Sequence, residues 1–199
     1  VVAALTAGAL CAFAAVASGG GLTLWKLTDT ITIELRVDGI SRLFAVLTAV
    51  VWLLVGIYSI TYMTHERDEH RFFGFYLIVL GVLIGLDFSA NLVTMYVFYE
   101  LMTLTSLPLV LHELTKEAVM AGLKYLFYSV AGAFLALFGI LFLASISGTL
   151  AFTSGGVLGG VSLDGKEGIL LAAVCCMLLG FGTKAGMFPM HGWLPTAHP

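Results

Sequence analysis

Apolar runs long enough to cross a bilayer alternate with short polar breaks along almost the whole chain. Val1–Ser18 is apolar and rich in alanine, enough for most of one spanning helix, and Gly19–Gly21 ends it. Leu22–Val37 changes period. Its β-branched residues roughly alternate with polar ones around Thr28-Asp29, which predicts a short β-hairpin outside the bilayer. Asp38-Gly39 turns the chain, and Asp38 is placed to cap the helix that follows. Further spans are predicted over Ile40–Met63, Phe72–Leu86, Leu92–Leu111 and Ala118–Ile146. Between them lie a charged connection, Thr64–Arg71, and the polar breaks Asp87–Asn91 and His112–Glu117. Ser147–Gly168 is rich in glycine and reads as a flexible connection. Ile169 begins a sixth span, which is expected to be broken.

That break is the most informative local feature. The apolar run Ile169–Leu179 passes into GFGTKAGMFPMHGWLPTAHP (Gly180–Pro199), which sets Lys184 among Gly180, Gly182 and Gly186, with Pro189 close behind. A cation at mid-bilayer depth costs roughly 2.5–3.5 kcal/mol on insertion scales. A helix interrupted there is tolerated only where it is buried in protein or lines a wet cavity.

Composition agrees with this pattern. The 199 residues are 60% hydrophobic and 11% charged, with a mean hydropathy of +1.04. A soluble domain carries about 25% charged residues. The fold class expected is therefore all-α: a polytopic transmembrane bundle of about six spans, one of them broken, with a short extramembrane hairpin. The net charge of -3 changes little, because the charges sit mainly in the connections. Lys26, Arg36, Arg42 and Lys166 fall on one side, and Arg67, Arg71 and Lys116 on the other, a bias too small to set orientation.

No haem, iron–sulfur or nucleotide-binding motif is present. Cys11, Cys175 and Cys176 suit neither a metal site nor a disulfide framework. No cofactor, no metal and no nucleic-acid partner is expected. The partner implied by composition is the lipid bilayer of the cell membrane. The chain opens at Val1 inside an apolar segment and ends at Pro199 in mid-element, so residues 1–199 are expected to be a fragment truncated at both ends.

Helical rise places three ionisable side chains at similar depth. Measured from the hairpin side, Glu100 lies roughly 18 Å in and Lys184 roughly 24 Å in. Lys124 enters from the opposite side by roughly 10 Å. In a core about 30 Å thick, that puts it about 20 Å from the hairpin side. A lysine whose carboxylate partner can approach or retreat can be switched between holding and releasing a proton. Glu100 is the candidate modulator and Lys184 the candidate carrier. The competing reading is a static ion pair that fastens helices, and for Lys124 a side chain that snorkels to the interface. Thr103, Thr105, Ser106, Tyr99, Tyr125, Tyr128 and Ser129 could hold water between these sites, although Ser and Thr also serve ordinary packing in spanning helices. His191 and His198, seven residues apart, share a face if the helix restarts, and either could pass protons or make a structural hydrogen bond.

Four segments carry a family resemblance: LRVDGISRLF (Leu35–Phe44), FYELMTLTSLPLVL (Phe98–Leu111), GLKYLFYSVAGAFLALFGI (Gly122–Ile140) and Gly180–Pro199. Together they resemble the antiporter-like membrane subunits of proton-pumping NADH:quinone oxidoreductase (complex I), membrane-bound hydrogenases and Mrp-type cation/proton antiporters. The resemblance implies that Glu100 and Lys184 are the family's paired glutamate and lysine on its fifth and seventh helices. It makes Val1–Ser18 the family's second helix and puts the hairpin on the outer face of the membrane. It also implies that the chain is the N-terminal half of a proton-conducting unit whose inverted repeat would follow. The expected role is a non-redox, proton-translocating subunit of a complex I-like or hydrogenase-type complex, with Glu100, Lys184, Lys124, His191 and His198 as relay residues. The alternative is a sodium/proton antiporter subunit of the Mrp type. The resemblance adds other membrane subunits of a multisubunit complex as partners, and protons or sodium as the ions moved. A quinone-binding subunit with its site near His191, and a purely structural spacer, are the remaining readings.

Overall fold

A computed structural model describes residues 19–28 and 31–197. The expected Val1–Ser18 span, Asp29 of the hairpin tip and His198 lie outside the described residues.

The hairpin forms where the β-branched alternation predicts it. β1 (Gly21–Lys26) pairs antiparallel with β2 (Thr32–Arg36), with a register irregularity between Thr23 and Trp25. Five helices follow that are long and apolar enough to cross a membrane: α1 (Gly39–Met63), α2 (Glu69–Asp87), α3 (Leu92–Val110), α4 (Lys116–Ser147) and α5 (Glu167–Lys184). A short α6 (Leu194–Ala197) closes the described chain. This is a multi-pass membrane bundle.

Local chemistry starts the helices where the sequence allows. Asp38 caps α1 with a full capping box: its side chain accepts from Ser41 N–H at 2.8 Å, and Ser41 Oγ accepts from Asp38 N–H at 2.7 Å. Asn91 and Thr115 cap α3 and α4 in the same side-chain-to-backbone manner.

Small residues set the closest packing. A Cβ on Gly180 would meet Ala136 N at 2.4 Å and Gly132 O at 2.7 Å, and one on Gly139 would meet Ala173 O at 2.7 Å. The α4 and α5 backbones therefore approach directly along a glycine–alanine seam, the usual means of close helix packing in lipid. On the other side, α1 and α2 are latched by Trp52 Nε1 donating to Tyr76 O at 3.0 Å, by Tyr76 Oη donating to Trp52 O, and by stacking of the two rings.

Each end of the bundle is tied across. At the hairpin end, Asn91 Nδ2 donates to Thr32 O, Glu34 N–H to Thr94 Oγ1, and Arg36 to Phe152 O. The 148–166 connection, expected to be flexible, is anchored in its first part. Phe152 N–H donates to Ala90 O, Leu92 N–H donates to Leu150 O, and the Leu150 and Phe152 side chains pack on the cluster of Leu92, Ile140, Leu143 and Ala173. Glycine content does not foretell this, because it reports backbone freedom and not the two apolar anchors. At the opposite end, Arg71 donates to His112 O, and His112 Nε2 lies 2.9 Å from Arg67 O, so the α1–α2 and α3–α4 connections hold each other.

Candidate functional site

The site lies where α5 stops. The expected break is present: α5 ends at Lys184, Gly186 takes a φ of 69°, and the chain turns through residues 185–193 before α6. The turn is fastened back onto the helix it leaves. Trp193 Nε1 donates to Thr183 O at 2.9 Å, Gly186 N–H donates to the same carbonyl at 3.1 Å, and Met187 N–H donates to Gly182 O at 2.8 Å. Two of the carbonyls at the break, those of Gly182 and Thr183, are thus satisfied inside the protein, as a membrane setting requires. Lys184, in the last turn, also sits at the negative end of the α5 dipole, which favours a cation there.

The Lys184 ammonium crosses to α3 and α4. Nζ donates to Thr103 Oγ1 at 2.6 Å and to Tyr125 Oη at 2.7 Å. It also lies over two rings, 4.9 Å from the centroid of Tyr125 and 5.7 Å from that of Tyr99. Thr103, Tyr125 and Tyr99 are all buried. Tyr99 Oη in turn donates to Gly180 O at 2.9 Å, so the aromatic wall is itself bonded to α5. Tyr125 packs on Trp193, with centroids 5.1 Å apart, which joins the site to the turn. Tyr125 Oη also lies 2.6 Å from Ser106 Oγ on α3.

Glu100 stands one helical turn before Thr103 on α3. Its carboxylate interacts with Lys184 through space, yet no ion pair within 4.0 Å joins them among the described residues. Its Oε1 is buried and has no hydrogen-bond partner among the described residues. A direct Glu100–Lys184 ion pair is therefore not formed among the described residues. Both side chains are half-buried within this chain, no charged residue among the described ones is fully buried, and the lysine is held by hydroxyls in place of the carboxylate. The reason is geometric: the break leaves Lys184 facing the Thr103–Tyr125 side of α3 and α4, where two hydroxyls are nearer than Glu100.

Of the remaining predicted residues, Lys124 and His191 do not join this cluster. Lys124 is exposed, and its Nζ donates to Thr196 Oγ1 of α6 at 2.9 Å, although it adjoins Tyr125 in sequence. His191 is exposed in the turn, its ring beside Phe188, and α6 starts only after it, at Leu194. The sequence pattern places Ser106 and Tyr125 only among residues that could hold water. The i to i+3 spacing of Ser106 from Thr103 is visible there, as is the adjacency of Tyr125 to Lys124, but the contact with Lys184 depends on where the break aims the lysine.

Residues 89–199, more than half of the chain, match the family described as NADH:quinone oxidoreductase/Mrp antiporter, TM. The chain belongs to this family. Residues 25–73 match a second family description, the N-terminus of chain 5 of NADH-ubiquinone oxidoreductase (complex I). Among curated relatives, an Na(+)/H(+) antiporter subunit from Alkalihalophilus pseudofirmus is 34% identical over 175 residues, covering 87% of this chain and 22% of the relative. Hydrogenase-4 component B of Escherichia coli is 33% identical over 169 residues, covering 84% of this chain and 24% of the relative. The chain thus spans about a quarter of the length of these relatives. The solved Mrp complex from a Dietzia species shares the fold, with a TM-score of 0.83 at 20% identity over 98% of this chain and 22% of the matched chain. The chain is thus similar to part of the antiporter-like membrane subunits of Mrp, hydrogenase and complex I type.

Proposed function

We propose that this protein moves protons through Lys184, with Glu100 as the charge that biases it, inside a complex I-like or hydrogenase-type assembly. The observation that carries the reading is the unsatisfied Glu100 Oε1 beside an ammonium held by two neutral hydroxyls. A carboxylate oxygen left without a partner in a shielded site is costly, by about 1–3 kcal/mol or more. That cost gives the lysine a second position to move to. With the ammonium on Thr103 and Tyr125 the proton can be passed on; with it drawn to Glu100 the proton is retained. Lys124, His191 and His198 are proposed as outer members of the path.

A second reading has its own support. A sodium/proton antiporter subunit is among the relatives, and the Mrp complex shares the fold, which favours an Mrp-type role exchanging sodium for protons. Vesicles carrying the full-length protein in its assembly separate the two. A pH gradient that collapses on sodium addition supports exchange, whereas proton uptake indifferent to sodium supports the first reading. If Lys184→Met leaves both unchanged, neither reading stands.

A further inference from the structure

A cavity of about 490 Å³ opens at the end of the bundle opposite the hairpin. Its wall includes Leu109 and Val110 of α3, Ala118 and Ala121 of α4, and Thr196 of α6. Most of its wall is apolar, but the exposed Glu66, Glu113 and Glu117 line it as well, and it is roomy enough for water. Val110 is four residues beyond Ser106, and Ala121 is four residues before Tyr125. The hydrogen-bonded Ser106–Tyr125 pair therefore sits one helical turn, about 5.4 Å of rise, above the cavity wall on both helices at once.

The hydrogen bonds between Lys184 and this pair have a polarity. An ammonium can only donate, so Tyr125 Oη accepts from Lys184. Ser106 Oγ–H is committed to Met102 O at 2.6 Å, the ordinary back-bond of a helical serine. In that state the phenol donates in its 2.6 Å contact with Ser106, a contact whose geometry lets either oxygen donate. The chain of donors runs from Lys184 to Tyr125 to Ser106 and stops at a carbonyl, which cannot pass a proton on. The other hydroxyls near the phenol, Thr103 and Ser129, are both buried and lie about one turn farther from the cavity, so those branches do not lead out.

We propose that Tyr125 and Ser106 are the proton gate between Lys184 and this cavity, with rotation of the Ser106 hydroxyl as the opening step. The inference rests on Lys184 carrying the transported proton. When the Ser106 O–H leaves Met102 O and turns toward a water that has entered from the cavity, one proton can cross. The lysine N–H bond breaks as a bond to Tyr125 Oη forms; the phenol's own proton passes to Ser106 Oγ; the serine's original proton passes to water. Lys184 becomes neutral, the water becomes hydronium, and each hydroxyl keeps one proton. Rotation back onto Met102 O closes the gate, and the same steps in reverse load the lysine.

The test is proton transport by the full-length protein in its assembly, in vesicles, normalised to assembled protein. Ser106→Ala and Tyr125→Phe should each lower transport by about tenfold or more. The double variant should be no worse than the poorer single one, because both lie on one path. Ser106→Thr keeps a rotating hydroxyl and should recover most of the activity, which a packing role for the serine would not predict. In a background lacking Cys11, Cys175 and Cys176, Val110→Cys should react with a charged, membrane-impermeant thiol reagent added on the α3–α4 connection side. Wild-type transport by Ser106→Ala, with transport abolished in Lys184→Met, would overturn the gate while leaving the lysine's role intact. Losses that add in the double variant, or a Val110→Cys thiol that the reagent never reaches, would overturn it equally. Wild-type transport by Lys184→Met would instead remove the reading on which the gate rests.

Discussion

Lys184 on α5 reaches Tyr125 on α4, Nζ to Oη 2.7 Å, and makes no ion pair with Glu100. The distinction decides what the site can do. An ammonium locked on a carboxylate is a fastener, because moving the proton would leave a charge uncompensated. An ammonium resting on neutral hydroxyls, with a carboxylate nearby but unbonded, keeps a proton acceptor on one side and an electrostatic brake on the other.

Glu100→Gln tests the brake. The amide keeps the shape of the side chain and removes its charge, so assembly should be retained while proton transport falls by about tenfold or more. Transport per assembled complex is the measurement. Unchanged transport would mean that Glu100 has no part in the cycle.

The α4–α5 seam is tested by Gly180→Ala. The added Cβ would lie 2.4 Å from the Ala136 backbone nitrogen, which cannot move without shifting α4. A loss of about 1–3 kcal/mol of stability is expected, seen as a lower thermal unfolding midpoint. Gly168→Ala on the same helix meets nothing within 4 Å and should be close to neutral. Equal effects of the two substitutions would contradict the seam.

Asp38 gives the α1 start a pH dependence. The Ser41 backbone N–H, its main partner, holds the Asp38 carboxyl below the ordinary carboxylate value of 3.8. Because the folded value is the depressed one, the cap stabilises the protein above that ordinary value and its contribution is lost as pH falls through the folded value. Asp38→Ala should cost about 0.5–2 kcal/mol near neutral pH, and Asp38→Asn should cost little there while removing the acid-dependent part. Thermal unfolding from pH 3 to pH 7 checks both. Identical pH profiles for wild type and Asp38→Asn would refute the cap's contribution.

The parts legible in the sequence are those governed by local chemistry. Hydropathy delimits α1 to α5 to within a few residues, Asp38 announces its own cap, and the glycines around Lys184 with Pro189 mark the break. Helical rise also brings Glu100 and Lys184 to comparable depth. What rise does not supply is azimuth. Depth alone groups Lys124 with Lys184, but Lys124 points to the α6 side and bonds Thr196. Depth likewise pairs Lys184 with Glu100, whereas the direction in which the break releases the lysine takes it to Thr103 and Tyr125. His191 shows the same limit: its expected helical face depends on the helix resuming before residue 191, and it resumes at Leu194.

Proton or sodium/proton transport by Lys184→Arg, measured in vesicles and normalised to assembled protein, bears most directly on the proposed role of this lysine. Arginine preserves the positive charge and the capacity to donate to Thr103 and Tyr125, but it does not deprotonate under any condition the protein meets. The account predicts an assembled protein with transport severely reduced, as in Lys184→Met. Wild-type transport by Lys184→Arg would show that the charge only fastens α5 to α3 and α4, and would contradict the account.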